Sequence, residues 1–134
     1  MKNKKGFTLI ELLIVIAIIT ILAAAAIVGI NPARNFRNAR NATRLNHMNA
    51  ISSSIYSYAV ENGGALPGCI PALPATASIG TCTTWLVATY TSALPTPPLV
   101  DDGEEYVVEQ TAQGGLKITS TAQEAIDEGI ELIQ

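Results

Sequence analysis

Residues 7–30, FTLIELLIVIAIITILAAAAIVGI, constrain this chain more than any other part of it. Only Thr8, Glu11, Thr20 and Gly29 interrupt the apolar run. As a helix its 24 residues extend roughly 36 Å, at about 1.5 Å per residue. That is enough to cross a hydrocarbon layer of about 30 Å. A helix this apolar on every side has no face for water, so it needs apolar surroundings all round. The rest of the 134 residues is mostly polar and builds only a small core. One charge, Glu11, stands inside the run. A carboxylate there is costly unless it finds a partner.

Charge is segregated along the chain. Lys2, Lys4 and Lys5 precede the apolar run, and Arg34, Arg37, Arg40 and Arg44 follow it. From Asp101 onward there are nine acids and one lysine, Lys117, a side-chain balance near −8. That balance argues against nucleic acid as a partner. A basic start followed by an apolar stretch is the pattern of a secretory signal or a membrane anchor. Here the basic part is only six residues, it ends in Gly6, and the apolar run begins abruptly at Phe7.

The stretch Gly6-Phe7-Thr8-Leu9-Ile10-Glu11-Leu12-Leu13 resembles the processing motif of type IV pilins and pseudopilins. The resemblance covers roughly the first 60 residues; beyond them the heads of such proteins vary widely. It implies a leader of residues 1–6, cleavage by a prepilin peptidase between Gly6 and Phe7, and methylation of the new amine at Phe7. It implies that Glu11 of one subunit meets the Phe7 amine of its neighbour in a filament. The implied partners are further copies of the chain, the peptidase, an inner-membrane assembly platform and, before assembly, membrane lipid. No cofactor is implied, and the role is structural, not enzymatic. The implied location is a single-pass membrane protein with its N-terminus in the cytoplasm and its head outside, and then a filament at the cell surface. The ion pair also has a physical logic. A buried pair adds little net stability, but a missing partner is strongly destabilising, so the pair sets register between helices that would otherwise slide. The other reading of Glu11 is a carboxylate close enough to the membrane edge to stay hydrated.

Gly29-Ile30-Asn31-Pro32 breaks the pattern. Asn31 suits the cap of a new helix and Pro32 its first turn. Gly29 and Pro32 are hinge candidates, or they mark a plain boundary between a membrane segment and a second, amphipathic helix over 31–62. Glu61-Asn62-Gly63-Gly64 is a stop signal, with Gly63 placed for a left-handed residue past the end. Leu45, Met48, Ile51, Ile55 and Tyr58 recur at three and four, an apolar stripe facing a core. Arg34, Arg37, Arg40 and Arg44 share a side that runs on into Met48, Ile51 and Ile55. This basic stripe is a solvated face, a contact with anionic headgroups, or a surface that meets the acidic head or tail of a neighbouring subunit. The four arginines also oppose the lysines in the positive-inside rule. The cleavage motif and an extracytoplasmic disulfide both require the N-terminus inside.

The head, residues 63–134, carries six of the seven prolines between Leu66 and Pro98, together with Cys69 and Cys82. Two cysteines with no histidine nearby are too few for a zinc site, so a disulfide is the better reading outside the cytoplasm. It would close a loop of 14 residues and contribute about 2–4 kcal/mol. Trp85–Tyr90 is strand-like. Glu105–Gln110 and Leu116–Thr119, separated by a segment holding Gly114-Gly115, predict a β-hairpin. For Ser120–Gln134 two readings stand. Thr121-x-x-Glu124 resembles a capping box opening an amphipathic helix, and a strand over 130–133 is the alternative. The expected fold class is α+β and pilin-like: a long N-terminal helix, its first half membrane-spanning, packed against a small antiparallel sheet.

Catalytic signals are sparse. His47 is the single histidine, and nothing in the sequence assembles an acid and a nucleophile around it. No phosphate-binding glycine loop occurs. No metal site is expected; Asp101, Asp102 and Glu104 form a weak calcium candidate without the spacing of an EF-hand. Asn41-Ala42-Thr43 is a formal glycosylation acceptor on a helix. The expected function is a structural subunit of a type IV pilus-like filament. The alternatives are a pseudopilin of type II secretion, a DNA-uptake filament subunit, a signal-anchored monomeric surface domain, and a secreted protein cut within Ala23–Ala26.

Overall fold

The computed structural model describes residues 6–134; Lys2, Lys4 and Lys5 of the expected leader lie outside the described residues. The chain divides into two compact units, one up to Phe36 and one comprising Arg37–Gln134.

The first unit is dominated by helix α1, Leu9–Ile30, 22 residues of which none is buried. Among the described residues it is the one helix long and apolar enough to cross a membrane. Thr20 returns its hydroxyl to the Ile16 carbonyl at 2.7 Å, which satisfies it without any outside partner. Asn31 ends α1 in a left-handed conformation, φ 45°, one of the few non-glycine residues that tolerates it. The same residue starts helix α2, Pro32–Glu61. Its side-chain oxygen accepts from the Arg34 N–H at 3.3 Å, and Asn35 donates its amide to the Ile30 carbonyl at 3.1 Å. The Asn-Pro dipeptide therefore serves as stop and start at once. Gly29 is helical, with open space where a Cβ would stand.

In the second unit α2 is followed by strand β1, Ala77–Ser78; a 3₁₀ turn, Ile79–Cys82; helix α3, Thr83–Leu86; a second 3₁₀ turn, Val100–Asp102; strands β2, Tyr106–Gln110, and β3, Leu116–Ser120; helix α4, Gln123–Asp127; and strand β4, Glu131–Ile133. The strands form one antiparallel meander in the order β1-β2-β3-β4. Alternation sets its faces: Tyr106, Val108, Leu116, Ile118 and Ser120 point inward, while Glu109, Lys117 and Thr119 point away. Met48, Ile51 and Ile55 of α2 pack with the inner set and with Ile70, Ile79, Cys82 and Leu86.

Several expectations are corrected by the packing. Leu45 is exposed; the inner position one turn before Met48 belongs to Arg44, which is 0% exposed. Trp85–Tyr90 is not a strand. Cys82 and Leu86 are buried while Thr84 between them is exposed, the spacing of a helical turn, since a strand would turn all three to one face; Ala88, at φ 76°, then breaks any extended run. The hairpin turn spans Thr111–Gly115 and is closed by Thr111 N–H to the Gly115 carbonyl at 2.9 Å, so it is longer than a two-residue Gly-Gly turn. Both readings of the last segment hold in sequence, α4 and then β4. The Thr121 capping box does not form: Ala122 is the cap residue. The Thr121 hydroxyl binds the Glu105 backbone instead.

Cys69 and Cys82 are disulfide-bonded, with Cα atoms 5.2 Å apart. The bond ties the proline-rich segment to a cysteine buried in the core. Beyond it, Trp85 lies across Gly68, where a Cβ would come within 3.0 Å of the ring. The same ring meets Tyr58 edge-on at 5.9 Å.

Candidate functional site

The N-terminal site is built by local chemistry. Gly6, Phe7 and Thr8 precede the helix, and Phe7 is 86% exposed. No Cβ neighbour lies within 4 Å of Gly6. The Gly6–Phe7 peptide bond thus lies outside any helix or strand, between exposed residues. Thr8 caps α1, and Glu11 completes a capping box: the Thr8 N–H and hydroxyl donate to Glu11 Oε2 at 2.9 and 2.7 Å, and the Glu11 N–H donates to Thr8 Oγ1 at 3.3 Å. A carboxylate in the first turn also meets the positive end of the helix dipole. Glu11 Oε1 takes part in none of these bonds. The Thr8-x-x-Glu11 spacing is a capping signal legible in the sequence; the identical spacing at Thr121 forms no box.

A second constellation joins α2 to the head, and sequence reading did not assemble it. Arg44 grips Glu104 with a two-pronged fork, Nε to Oε1 at 2.7 Å and Nη2 to Oε2 at 3.0 Å. Its Nη1 reaches Asn41 at 2.6 Å and Glu124 at 2.7 Å. Arg40 forks onto Glu124 with both contacts at 2.6 Å. Glu104 also accepts from the Ser120 hydroxyl and from the Leu99 N–H at 2.9 Å. Two cations and two anions are thereby balanced, and among the described residues no buried side-chain nitrogen or oxygen lacks a partner. The two Arg40 bonds, helped by Arg44, outweigh partial burial and hold the Glu124 carboxyl down at about 2. Burial pushes Glu104 upward, but the bonds from Arg44, Ser120 and Leu99 outweigh it and keep it below the ordinary carboxylate range. Tyr106, pushed up to about 12 by burial and by Glu104, shares a hydrogen bond with His47 Nδ1 at 2.9 Å. His47 is therefore half-buried and attached to the sheet.

This cluster corrects two expectations. The four-arginine inter-subunit stripe is reduced to Arg34 and Arg37, both exposed. Arg44 is sealed inside its own subunit, and Arg40 is committed to Glu124. The weak calcium candidate loses Glu104, whose carboxylate faces Arg44 and not Asp101 or Asp102. No group of three metal-binding side chains occurs among the described residues. Asn41, the formal glycosylation acceptor, is 4% exposed and donates its amide to Glu128 at 2.6 Å. Beside the cluster, Leu99, Asp102, Gly103, Thr121 and Asp127 line a cleft of about 470 Å³.

Residues 1–27 match the prokaryotic N-terminal methylation motif, the signature of type IV pilins and pseudopilins. No curated protein and no solved structure matches the chain. The architecture, a long N-terminal apolar helix with a small four-stranded antiparallel sheet, is α+β and consistent with a pilin-like fold. The motif marks a class of structural proteins that are processed at the N-terminus by a prepilin peptidase.

Proposed function

We propose that the chain is a structural subunit of a type IV pilus-like surface filament and not an enzyme. Prepilin peptidase removes residues 1–6, Phe7 is methylated, and the subunit polymerises through its N-terminal helix on an inner-membrane assembly platform. The observation that carries this reading is the methylation motif over residues 1–27 leading straight into a 22-residue helix with no buried residue. Such a helix is at home in lipid and equally at home among copies of itself. Burial from water does not drive the move between those two environments, since both are apolar; helix packing, the charge pair and an external motor must do so. Glu11 has two roles in this scheme. Oε2 caps the helix of its own chain, and Oε1 receives the Phe7 amine of a neighbour. Gly29 and Pro32 flank the Asn31 break and let α1 reorient as it enters the filament.

Mass spectrometry of the N-terminal peptide, from protein purified from its own cells, tests the reading. It is expected to begin at Phe7 and to carry one added methyl. A start at Met1 means a plain anchor, and a start near Ile27 means a secreted protein; either overturns the proposal. Long surface fibres that contain the chain support the pilus role. A secretion defect without fibres moves the assignment to a type II pseudopilin.

A further inference from the structure

The distribution of unmatched charge points to a second surface of assembly. From Phe7 onward the chain has five cations, Arg34, Arg37, Arg40, Arg44 and Lys117. Three of them hold carboxylates of their own chain: Arg40 and Arg44 in the buried cluster, and Lys117 between Glu109 at 3.5 Å and Glu131 at 3.2 Å on the outer sheet face. Among the described residues Arg34 and Arg37 are the two cations without a carboxylate, and both are exposed. They occupy the first turns of α2 three residues apart, so they project to the same side.

The acids are in the opposite situation. Arg37–Gln134 holds ten acids against four cations, a side-chain balance of −6. Asp101, Asp102, Glu105 and Asp127 are exposed and, among the described residues, meet no cation. They gather at one end of the unit: Asp102 and Asp127 line the same cleft, and Glu105 adjoins Glu104 of the buried cluster. Copies packed side by side would set these acidic ends near one another, and the repulsion needs counter-charge.

We infer that Arg34 and Arg37 of one subunit dock onto the acidic end of a second copy, on the 101–105 turn and α4. The inference rests on the filament reading above. Charge complementarity selects the occupant: the unmatched cations and the unmatched acids belong to the same chain, so a second copy supplies both halves. Guanidinium-to-carboxylate contacts already join α2 to the head within one chain at Arg40 and Arg44, and Arg37 carries the same chemistry one turn earlier. Exposed pairs are individually weak. Repeated at every subunit of a polymer, they set rotational register and do not supply the bulk of the affinity.

The test combines charge reversal with photo-cross-linking in intact cells that make the full chain. Arg34→Glu/Arg37→Glu is expected to leave processing at Phe7 unchanged and to cut filament yield about tenfold, because like charges then face each other. Adding Asp101→Arg/Asp102→Arg/Asp127→Arg to the same chain is expected to restore filaments. A benzophenone side chain placed at position 37 is expected to cross-link to residues 101–105 or 123–128 and to give a product of twice the subunit mass on a denaturing gel. Wild-type filament yield from the double reversal overturns the inference, as does cross-linking to lipid alone or only within one chain. If those results come with a Phe7 start and intact filaments, the filament reading stands and only this surface is wrong. A Met1 start with no polymer from the wild-type chain removes both.

Discussion

Glu11, Arg44 and Glu124 show how single charges are kept in a molecule with so little polar core. Glu11 sits in the first turn of α1 and is held by Thr8. Glu11→Ala removes both the cap and the charge, whereas Glu11→Gln keeps hydrogen bonds to Thr8 and loses the charge. The proposed pairing with a neighbour's amine predicts that both abolish filaments, seen by electron microscopy, while only Glu11→Ala also frays the helix start, by about 1 kcal/mol. Retained filaments in Glu11→Gln would show that the cap alone is the role of Glu11. Arg44→Met strands Glu104 in the core, and a loss of about 3–5 kcal/mol in chemical unfolding is expected. Arg44→Met/Glu104→Leu is expected to cost less than either single change, since no lone charge remains buried. Acid acts on the same cluster. Glu124 lies at about 2 in the folded chain against an ordinary 4.5, and Glu104 is also lowered. A depressed carboxyl stabilises fully above its unfolded value and loses that contribution as pH falls through the folded one. Thermal melts followed by circular dichroism are therefore expected to stay level down to about pH 4.5 and to fall between there and about pH 2. Glu124→Gln is expected to flatten part of that fall.

At the scale of elements, backbone conformation explains what propensity did not. Ala88 occupies the left-handed region at φ 76° because the Ala88 N–H closes a tight loop on the Thr91 carbonyl at 2.8 Å. A side chain there carries a steric cost that glycine avoids. Ala88→Gly is expected to raise the melting temperature modestly, by up to about 1 kcal/mol of stability. An unchanged or lower melting point would mean that unfolded-state entropy outweighs the relief. Gly115 is the converse case: a Cβ would run into the Gln134 carbonyl oxygen of the adjoining strand. That oxygen accepts from the Leu116 N–H at 2.7 Å. Gly115→Ala is expected to unpair β4 from β3, measured as faster amide exchange at Leu116 and Gln134.

At the scale of the whole molecule, the two units divide the work. One presents a predominantly apolar helix with no buried residue, and the other has its own core, ionic cluster and disulfide. Residues 37–134 are accordingly expected to fold alone as a soluble monomer with the disulfide formed, checked by sedimentation and thiol titration. That fragment is also expected to be unable to enter filaments. Aggregation of the fragment, or free thiols in it, would show that the head depends on the N-terminal unit.

Local signals determined much of this protein. The membrane-length helix, the Asn31-Pro32 break and the hairpin around Gly114 depend on neighbouring residues and were legible from spacing, while residues 6–13 carried their resemblance to a processing motif. The tertiary structure decided what depends on distant residues. Arg44 and Glu104 are 60 positions apart, so no local pattern distinguishes a solvated arginine from a buried one. The choice falls to the register of α2 on the sheet, which turns Arg44 inward and Leu45 outward. Trp85–Tyr90 has the composition of a strand, yet Cys82 and Leu86 are buried with Thr84 left exposed, a pattern that a helical turn allows and a strand does not. In each case the apolar and ionic contacts that folding gathers outweigh a propensity worth a fraction of a kilocalorie.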